Sequence, residues 1–298
     1  MSTISVVINT LNEEKNLPRA ISSVKNFADE IIVVDMESSD KTVEIAKALG
    51  AKVFTHKKVG YVEPARNFAV SKASGPWVLV LDADEEIPKS LALKIKEIVK
   101  KSQSDYFRIP RKNIIFGKWM EHTLWWPDYQ IRLFRKGKVI WNELIHAVPV
   151  TVGKGADVKP LEKYAITHHN YNSVDQFLER LIRYSKVQAD LLVKGEYKFK
   201  WEDLIKKPVK EFVNRFFTGE GYKDGIHGLA LSLLQAFSEL VVFLRIWQEE
   251  KYKDQSPKLK ETVSVLRQAE KDLHFWESDA LYKENGNLVN RIRRKLKI

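Results

Sequence analysis

The feature that most constrains this chain is an alternation near its start, where short runs rich in β-branched residues are separated by stretches with helical spacing. The runs are "ISVVIN" (Ile4 to Asn9), "EIIVVD" (Glu30 to Asp35), "AKVFTH" (Ala51 to His56) and "WVLVLD" (Trp77 to Asp82). Between the first two, Leu17, Ala20, Ile21 and Val24 recur at i, i+3, i+4 and i+7; further on, Val43, Ala46 and Leu49 follow a similar period. Strands separated by one helix each predict a parallel sheet covered on both faces, because a crossover helix is what returns the chain to start the next strand in the same direction. Ligands of such α/β folds bind beyond the carboxyl ends of the strands. With 298 residues, 44% of them hydrophobic, the chain is long enough to bury a full core. It has no cysteine, so a metal would have to sit on oxygen or imidazole ligands.

The loop after the first run, "NTLNEEKNLP", contains no glycine. That argues against a dinucleotide fingerprint and against a Walker loop, and a bound diphosphate would need its charge neutralised in another way. The stretch "WVLVLDADEEIP" offers one. Asp82 and Asp84 stand two apart just past a buried strand, so in extended geometry their side chains project the same way and share one ion, Mg²⁺ or Mn²⁺, that completes its shell with water and phosphate oxygens. Glu85 and Glu86 read more simply as acids preceding the helix that starts after Pro88. Asp35 ends the second run, where an acid commonly accepts a hydrogen bond from a ribose or base edge, and Thr10, Asn12 and Glu13 lie beside it at the mouth of the sheet.

From about Tyr106 the rhythm changes to strands, turns and aromatic loops; "IRLF" and "KVIW" around Lys136, Gly137 and Lys138 predict a hairpin. After "KYAITHHNY" the pattern is helical, which places a boundary near Asn172 and divides the chain into 1–172 and 173–298. The most apolar stretch, "IHGLALSLLQAFSELVVFLRIWQ" (Ile226 to Gln248), is about long enough to cross a bilayer, yet His227, Gln235, Glu239 and Arg245 interrupt it. A helix lying in the membrane interface, a buried or dimer-forming helix and a true span all remain open. The formal net charge of +11 favours a polyanionic surface; the basic residues are scattered apart from the tail "RIRRKLKI", which speaks for anionic lipid over nucleic acid. The opening residues carry no basic leader or small-residue cleavage site, so no secretory signal is expected.

Taken together, "SVVINTLNEEKNLPRAISSV", "IIVVDMESSDKT", "EPARNFAVSKASGPWVLVLDADEEI" and "WWPDYQIRLFR" resemble the family 2 inverting glycosyltransferases of GT-A fold, and more narrowly the branch of lipopolysaccharide core β-glucosyltransferases. The likeness covers about residues 3 to 172. It implies an α/β, Rossmann-like, mostly parallel sheet with a small antiparallel part, followed by a helical region that associates with a membrane or dimerises. It implies that Thr10, Asn12, Glu13 and Asp35 bind the nucleoside of a nucleotide-diphosphate sugar, UDP-glucose by default. Arg66 would lie near the diphosphate, and Asp82 and Asp84 would hold a divalent cation.

The implied reaction is a single displacement at the anomeric carbon. The cation, with Arg66 or Arg132, would neutralise the leaving diphosphate, and a carboxylate base would take the proton of the attacking hydroxyl. Asp128 in "WWPDYQIRLF" is the first candidate base and Glu143 in "WNELIHAV" the second; relatives often carry a carboxylate after the His of the "IH" pair, where this chain has Ala147. Trp119, His122, Trp125 and Trp126 form an aromatic cluster suited either to stacking on sugar rings or to core packing, and His168 or His169 could supply a metal ligand or touch phosphate. The expected acceptor is a lipid-linked or lipopolysaccharide-type saccharide at the inner face of the cytoplasmic membrane. The competing readings are a sugar nucleotidyltransferase, which would need a glycine-rich first loop, and a noncatalytic module binding membranes or polyanions.

Overall fold

A computed structural model describes residues 3–58, 63–142, 149–287, 289, 290, 292 and 293. The chain divides into two compact units, Met1–Ile114 with Pro127–Asn170 and Ile115–Trp126 with Tyr171–Ile298. The second unit takes up the chain again at Tyr171, and the aromatic segment Ile115–Trp126 groups with the helices.

The first unit is built on β1 (Ile4–Thr10), β2 (Glu30–Asp35), β3 (Lys52–Thr55) and β4 (Trp77–Asp82). The main sheet runs β3-β2-β1-β4-β8-β6-β12-β5, where β5 is Glu85–Glu86, β6 Tyr106–Ile115, β8 Asp128–Arg135 and β12 Ile166–Tyr171. The first four strands are mutually parallel, β8 is antiparallel to both β4 and β6, and β5 is antiparallel to β12. Every residue of β1 is buried, as a strand covered on both faces requires. Val6 and Ile8 face one layer, where Leu17, Ala20, Ile21 and Val24 of α1 (Leu17–Val24) and Leu91, Ile95, Ile98 and Val99 of α4 (Lys89–Lys101) complete the core. Val7 faces the other with Val78, Val80 and Phe134, covered by Ala69 and Ala73. Two more helices, α2 (Thr42–Ala48) and α3 (Glu63–Lys72), follow β2 and β3.

The expected hairpin is absent. After β8 the chain turns at Lys138, whose N–H donates to the Arg135 carbonyl at 3.0 Å, but β9 (Val139–Ile140) pairs with β10 (Val150–Thr151), because both edges of β8 are already taken by β4 and β6. A short β11 (Gly155–Asp157) runs parallel to β6.

Glu30 shows how this sheet is tied to its flanks. Burial works against its ionisation, but hydrogen bonds from Ser5, Ser74 and Lys52 outweigh that and bring its pKa from 4.5 to about 2. A depressed carboxylate contributes stability that is complete above its unfolded pKa and lost as pH falls through the folded one. Glu30→Gln is therefore expected to flatten the acid limb of the stability curve between pH 4.5 and about 2; parallel limbs in the two proteins would refute this.

The second unit carries β7 (Lys118–Trp119), α5 (Val174–Lys194), α6 (Asp203–Val213), α7 (Ile226–Glu249) and α8 (Leu259–Asn285). Ser173 caps α5 by accepting from the Gln176 N–H at 3.1 Å. Ala189 of α5 packs with Val242, Phe243 and Ile246 of α7, while Arg245 donates to Ser185 Oγ at 3.0 Å and to the Ile182 carbonyl at 3.2 Å. The charge interrupting the apolar stretch is thus satisfied by a neighbouring helix. Among the described residues α7 alone is long and apolar enough to cross a membrane, with 33% of its most apolar window buried. Ile226, Leu233, Phe237 and Leu244 remain exposed. Gly228 allows the start of α7 to press on the preceding turn, since a Cβ there would lie 1.8 Å from the Gly221 carbonyl oxygen.

Buried Asp224 organises the aromatic segment of this unit. Its carboxylate accepts from the His122 N–H at 3.0 Å, Thr123 Oγ1 at 3.0 Å and the Glu121 N–H at 3.4 Å, and its carbonyl from Lys118 Nζ at 2.7 Å. Thr123 and Leu124 are held there at φ 59° and 63°, a conformation a β-branched residue adopts only under constraint. Trp119 and Trp126 meet edge to face, with ring centroids 5.4 Å apart.

Candidate active site

Parallel pairing brings the strand-end acids together. Thr10 is the register partner of Asp35, and Asn9 the partner of Asp82, so both acids flank the end of β1. Thr10 Oγ1 donates to Asp35 Oδ1 at 3.3 Å, and the other Asp35 oxygen accepts from the Ser38 N–H at 3.0 Å, fixing a nearly buried carboxylate at the mouth of the sheet. Asn12 and Glu13 lace the loop after β1 to the loop after β2. Asn12 adopts φ 58° and exchanges hydrogen bonds of 2.8 Å with Ser38 and Ser39, and the Glu13 N–H donates to Thr42 Oγ1 at 2.8 Å. A left-handed residue with a short polar side chain stands in for the missing glycine.

The two aspartates of the "DAD" differ in their backbone setting and in their partners. Extended structure stops at Asp82; the chain turns at Ala83 and Asp84 before β5, which sends the carboxylates to different partners. Asp82 Oδ1 accepts from Arg66 Nη2 at 2.8 Å and its Oδ2 from Arg132, whose guanidinium is also 2.5 Å from Glu85 Oε1. Burial alone would raise the pKa of Asp82, but Arg132, Arg66 and Arg111 together hold it far below the ordinary carboxylate range. Glu85, expected to be a helix-start acid, is instead fully buried between Arg132 and Arg111, the latter at 3.4 Å. Arg132 is itself buried, so its charge serves these acids.

Antiparallel pairing brings in residues that local patterning does not reveal. Arg111 of β6 faces Asp128 of β8 in register, and the period of two puts Asn113 beside Arg111, and Gln130 and Arg132 beyond Asp128, on the same face. Asp128 Oδ2 accepts from Arg111 Nη2 at 2.6 Å and from Asn113 Nδ2 at 3.1 Å; Oδ1 accepts from Gln130 Nε2 at 2.9 Å. Burial would raise its pKa, but Arg111, Gln130 and Asn113 outweigh that and lower it. Glu143, the second candidate base, lies outside the described residues, as does His146.

The β5–β12 pair sets His168 across from Glu85. Buried His168 has Nδ1 2.6 Å from Asn113 Oδ1 and Nε2 3.5 Å from Asp84 Oδ2, while His169 Nε2 is 3.6 Å from Glu86 Oε2. Burial and the charge of Arg19 lower the pKa of His169 against the pull of Glu86.

Among the described residues no three His, Asp or Glu side chains form a metal-ligand cluster. Asp84 and His168 are nevertheless an oxygen and an imidazole donor turned toward each other, a pair that suits Mg²⁺ or Mn²⁺ when phosphate and water complete the shell. Both oxygens of Asp82 are already engaged by arginines. Local patterning gives no role to Arg111, Asn113 or the buried pairing of Glu85: Arg111, Lys112 and Asn113 are consecutive polar residues, and the alternation at Asp128, Gln130 and Arg132 marks one face of β8 only.

A family model described as glycosyl transferase family 2 matches residues 5–163. An uncharacterized glycosyltransferase of Rickettsia typhi is 34% identical over 255 residues, covering 83% of this chain and 86% of the relative. The lipopolysaccharide core biosynthesis glycosyltransferase LpsC of Rhizobium meliloti is 24% identical over 257 residues, covering 84% and 94%. Among solved structures, S. aureus TarS 1–349 in complex with UDP aligns with a TM-score of 0.44 at 17% identity, covering 86% of this chain and 94% of that one. The matched residues run from within β1 to past β11, and with them go Asp35, Asp82, Asp84, Asp128 and the three arginines that pair with Asp82, Glu85 and Asp128. The chain belongs to glycosyl transferase family 2, and it is a glycosyltransferase.

Proposed function

We propose that the protein is an inverting hexosyltransferase that uses a nucleotide-diphosphate sugar, UDP-glucose by default, and a divalent cation to glycosylate a lipid-linked or lipopolysaccharide-type saccharide. The observation that carries this reading is the approach of Asp84 and His168 beside the strand tips that hold Asp35 and Asp82. In this reading Asp35, with Thr10, Asn12 and Glu13 shaping the rim, receives the nucleoside. Asp84 and His168 would hold the cation, and the chemistry it would supply there is neutralisation of negative charge on the diphosphate. Arg66 lies 2.8 Å from Asp82 and adds positive charge on the same side.

The acceptor hydroxyl attacks from the face opposite the leaving group, which inverts the anomeric configuration. Asp128 is the described carboxylate we propose as its base. Its Oδ1 accepts from Gln130 and carries a second lone pair, and its lowered pKa keeps it ionised. A weak base of this kind takes the proton late, after the bond to the leaving diphosphate has stretched.

Membrane attachment through the exposed apolar residues of α7, aided by the net charge of +11, supports a glycolipid acceptor at the inner face of the cytoplasmic membrane. Dimerisation through the same helix is the competing use of that surface. Cosedimentation with anionic vesicles would favour the first; a concentration-dependent dimer that ignores vesicles would favour the second.

The deciding experiment is a donor-hydrolysis screen over UDP-, GDP-, TDP- and ADP-sugars with and without EDTA. Turnover with one nucleotide class, abolished by EDTA and restored by Mn²⁺, is the expected result. Full turnover in EDTA would remove the cation from the mechanism.

A further inference from the structure

Beyond the residues assigned to the reaction, we propose that Asn113 is a positioning residue that keeps the ring proton of His168 on Nδ1 and thereby turns an unprotonated Nε2 on Asp84. The inference rests on the reading that Asp84 and His168 hold the cation, but its physical basis is independent of any bound ion.

Asn113 is fully buried in β6, and its amide stands between two groups of known character. On one side is Asp128 Oδ2 at 3.1 Å, a carboxylate that Arg111 holds from 2.6 Å. An ionised carboxylate only accepts hydrogen bonds, so the amide must present its NH₂ there. The carbonyl Oδ1 then faces His168 Nδ1, 2.6 Å away. A carbonyl oxygen has no proton to give, so Nδ1 must carry the hydrogen.

In its neutral form the imidazole has one N–H, so that form leaves Nε2 with a lone pair. Nε2 lies 3.5 Å from Asp84 Oδ2, another electron-rich atom. Two acceptors facing each other repel, and a cation between them removes the repulsion. The same backing of a ring nitrogen by a buried acceptor is what orients histidine ligands in metal sites generally. The polar chain Arg111, Asp128, Asn113, His168 therefore has a direction: the carboxylate orients the amide, and the amide orients the ring. Aspartate at position 113 would accept the same proton, but it would place a second buried negative charge beside Asp128.

The test begins with the metal-free protein. Long-range proton–nitrogen NMR of ¹⁵N-histidine-labelled protein, with the His168 signals assigned by their loss in His168→Gln, reads the tautomer directly. Protonation at Nδ1 alone is expected at neutral pH; protonation at Nε2, alone or together with Nδ1, overturns the proposal whatever the protein binds.

In Asn113→Leu the ring is expected to lose its Nδ1–H preference, and Mn²⁺ affinity in the presence of UDP, followed by electron paramagnetic resonance, should fall about ten- to a hundredfold. Unchanged Mn²⁺ affinity in a folded Asn113→Leu protein overturns the proposal as well. Should that variant not fold, the wild-type spectrum still decides. Mn²⁺ binding that His168→Ala leaves intact would instead overturn the cation reading, while the tautomer measurement would continue to judge the role of Asn113.

Discussion

Replacing Arg132 with methionine is expected to destabilise the protein by about 3–5 kcal/mol, the usual cost of removing one partner from a buried ion pair. Arg132 is buried in β8, and its guanidinium serves Asp82 and Glu85 together. Without it, fully buried Glu85 would keep Arg111, at 3.4 Å, and the Asp82 N–H, at 3.0 Å, while Asp82 would keep its ion pair with Arg66 and the weaker field of Arg111. The methionine fills much of the volume but answers neither charge. Arg132→Lys should fall between the two proteins, because one ammonium cannot reproduce the planar donor set that spans two carboxylates.

The measurement is urea unfolding at neutral pH, read as a shift in midpoint with an unchanged slope. The pH dependence supplies a second check. Asp82 has its pKa depressed, so the stability it contributes is complete above the ordinary carboxylate range and is lost only in strong acid, as pH falls toward the folded pKa. The gap between wild type and Arg132→Met should accordingly narrow as pH is lowered. A loss under about 1 kcal/mol at neutral pH would show that water or a neighbouring cation compensates these acids and that the network holds less than its geometry implies.

Asp84→Ala and His168→Ala should each lower turnover by on the order of 10²- to 10³-fold while leaving the fold intact, a loss comparable to removing one preorganised group that stabilises developing charge. The reason is specific to these two side chains. Asp82 is engaged at both oxygens by arginines, and no larger cluster of acids and histidines exists among the described residues. Removing either Asp84 or His168 therefore removes half of the donor set proposed for the cation. Thermal melting with UDP and Mn²⁺ separates binding from chemistry: the joint stabilisation seen in wild type should vanish in both variants. The neighbouring His169 and Glu86, 3.6 Å apart and more exposed, make the control, and His169→Ala should retain most activity. Turnover within about threefold of wild type in Asp84→Ala would end the assignment, because a group that contributes several kcal/mol in the transition state cannot be dispensable.

Much of the architecture was legible without coordinates. The four opening strands declare themselves as contiguous apolar runs because parallel strands are buried on both faces and need no alternation. The start of α4 after Pro88 and the spacing of α1 are equally local, as are Asp35 and Asp82, which end their strands because the chain there leaves the core for water. Other features were misread. The hairpin after β8 was expected from a Gly-containing turn between two apolar runs, but which strands pair depends on which edges are free, and both edges of β8 were occupied. The segment 115–126 looked like part of the sheet region, yet Asp224, over a hundred residues away, gathers its backbone.

By itself, then, the sequence determined the parallel half of the sheet, the acids at its strand ends and the change to helices, since each depends on residues close together in the chain. Tertiary structure alone decided which acid meets which base. The strand that ends at Asp82 gives way to a turn at Ala83 and Asp84, so the two aspartates do not share one extended segment. The contact of Asn113 with His168, 55 residues on, and of Arg132 with Asp82, 50 residues back, came from strand pairing. Charge compensation is settled by distance in space, and a run of letters carries no record of that until the strands that bear it have found their neighbours.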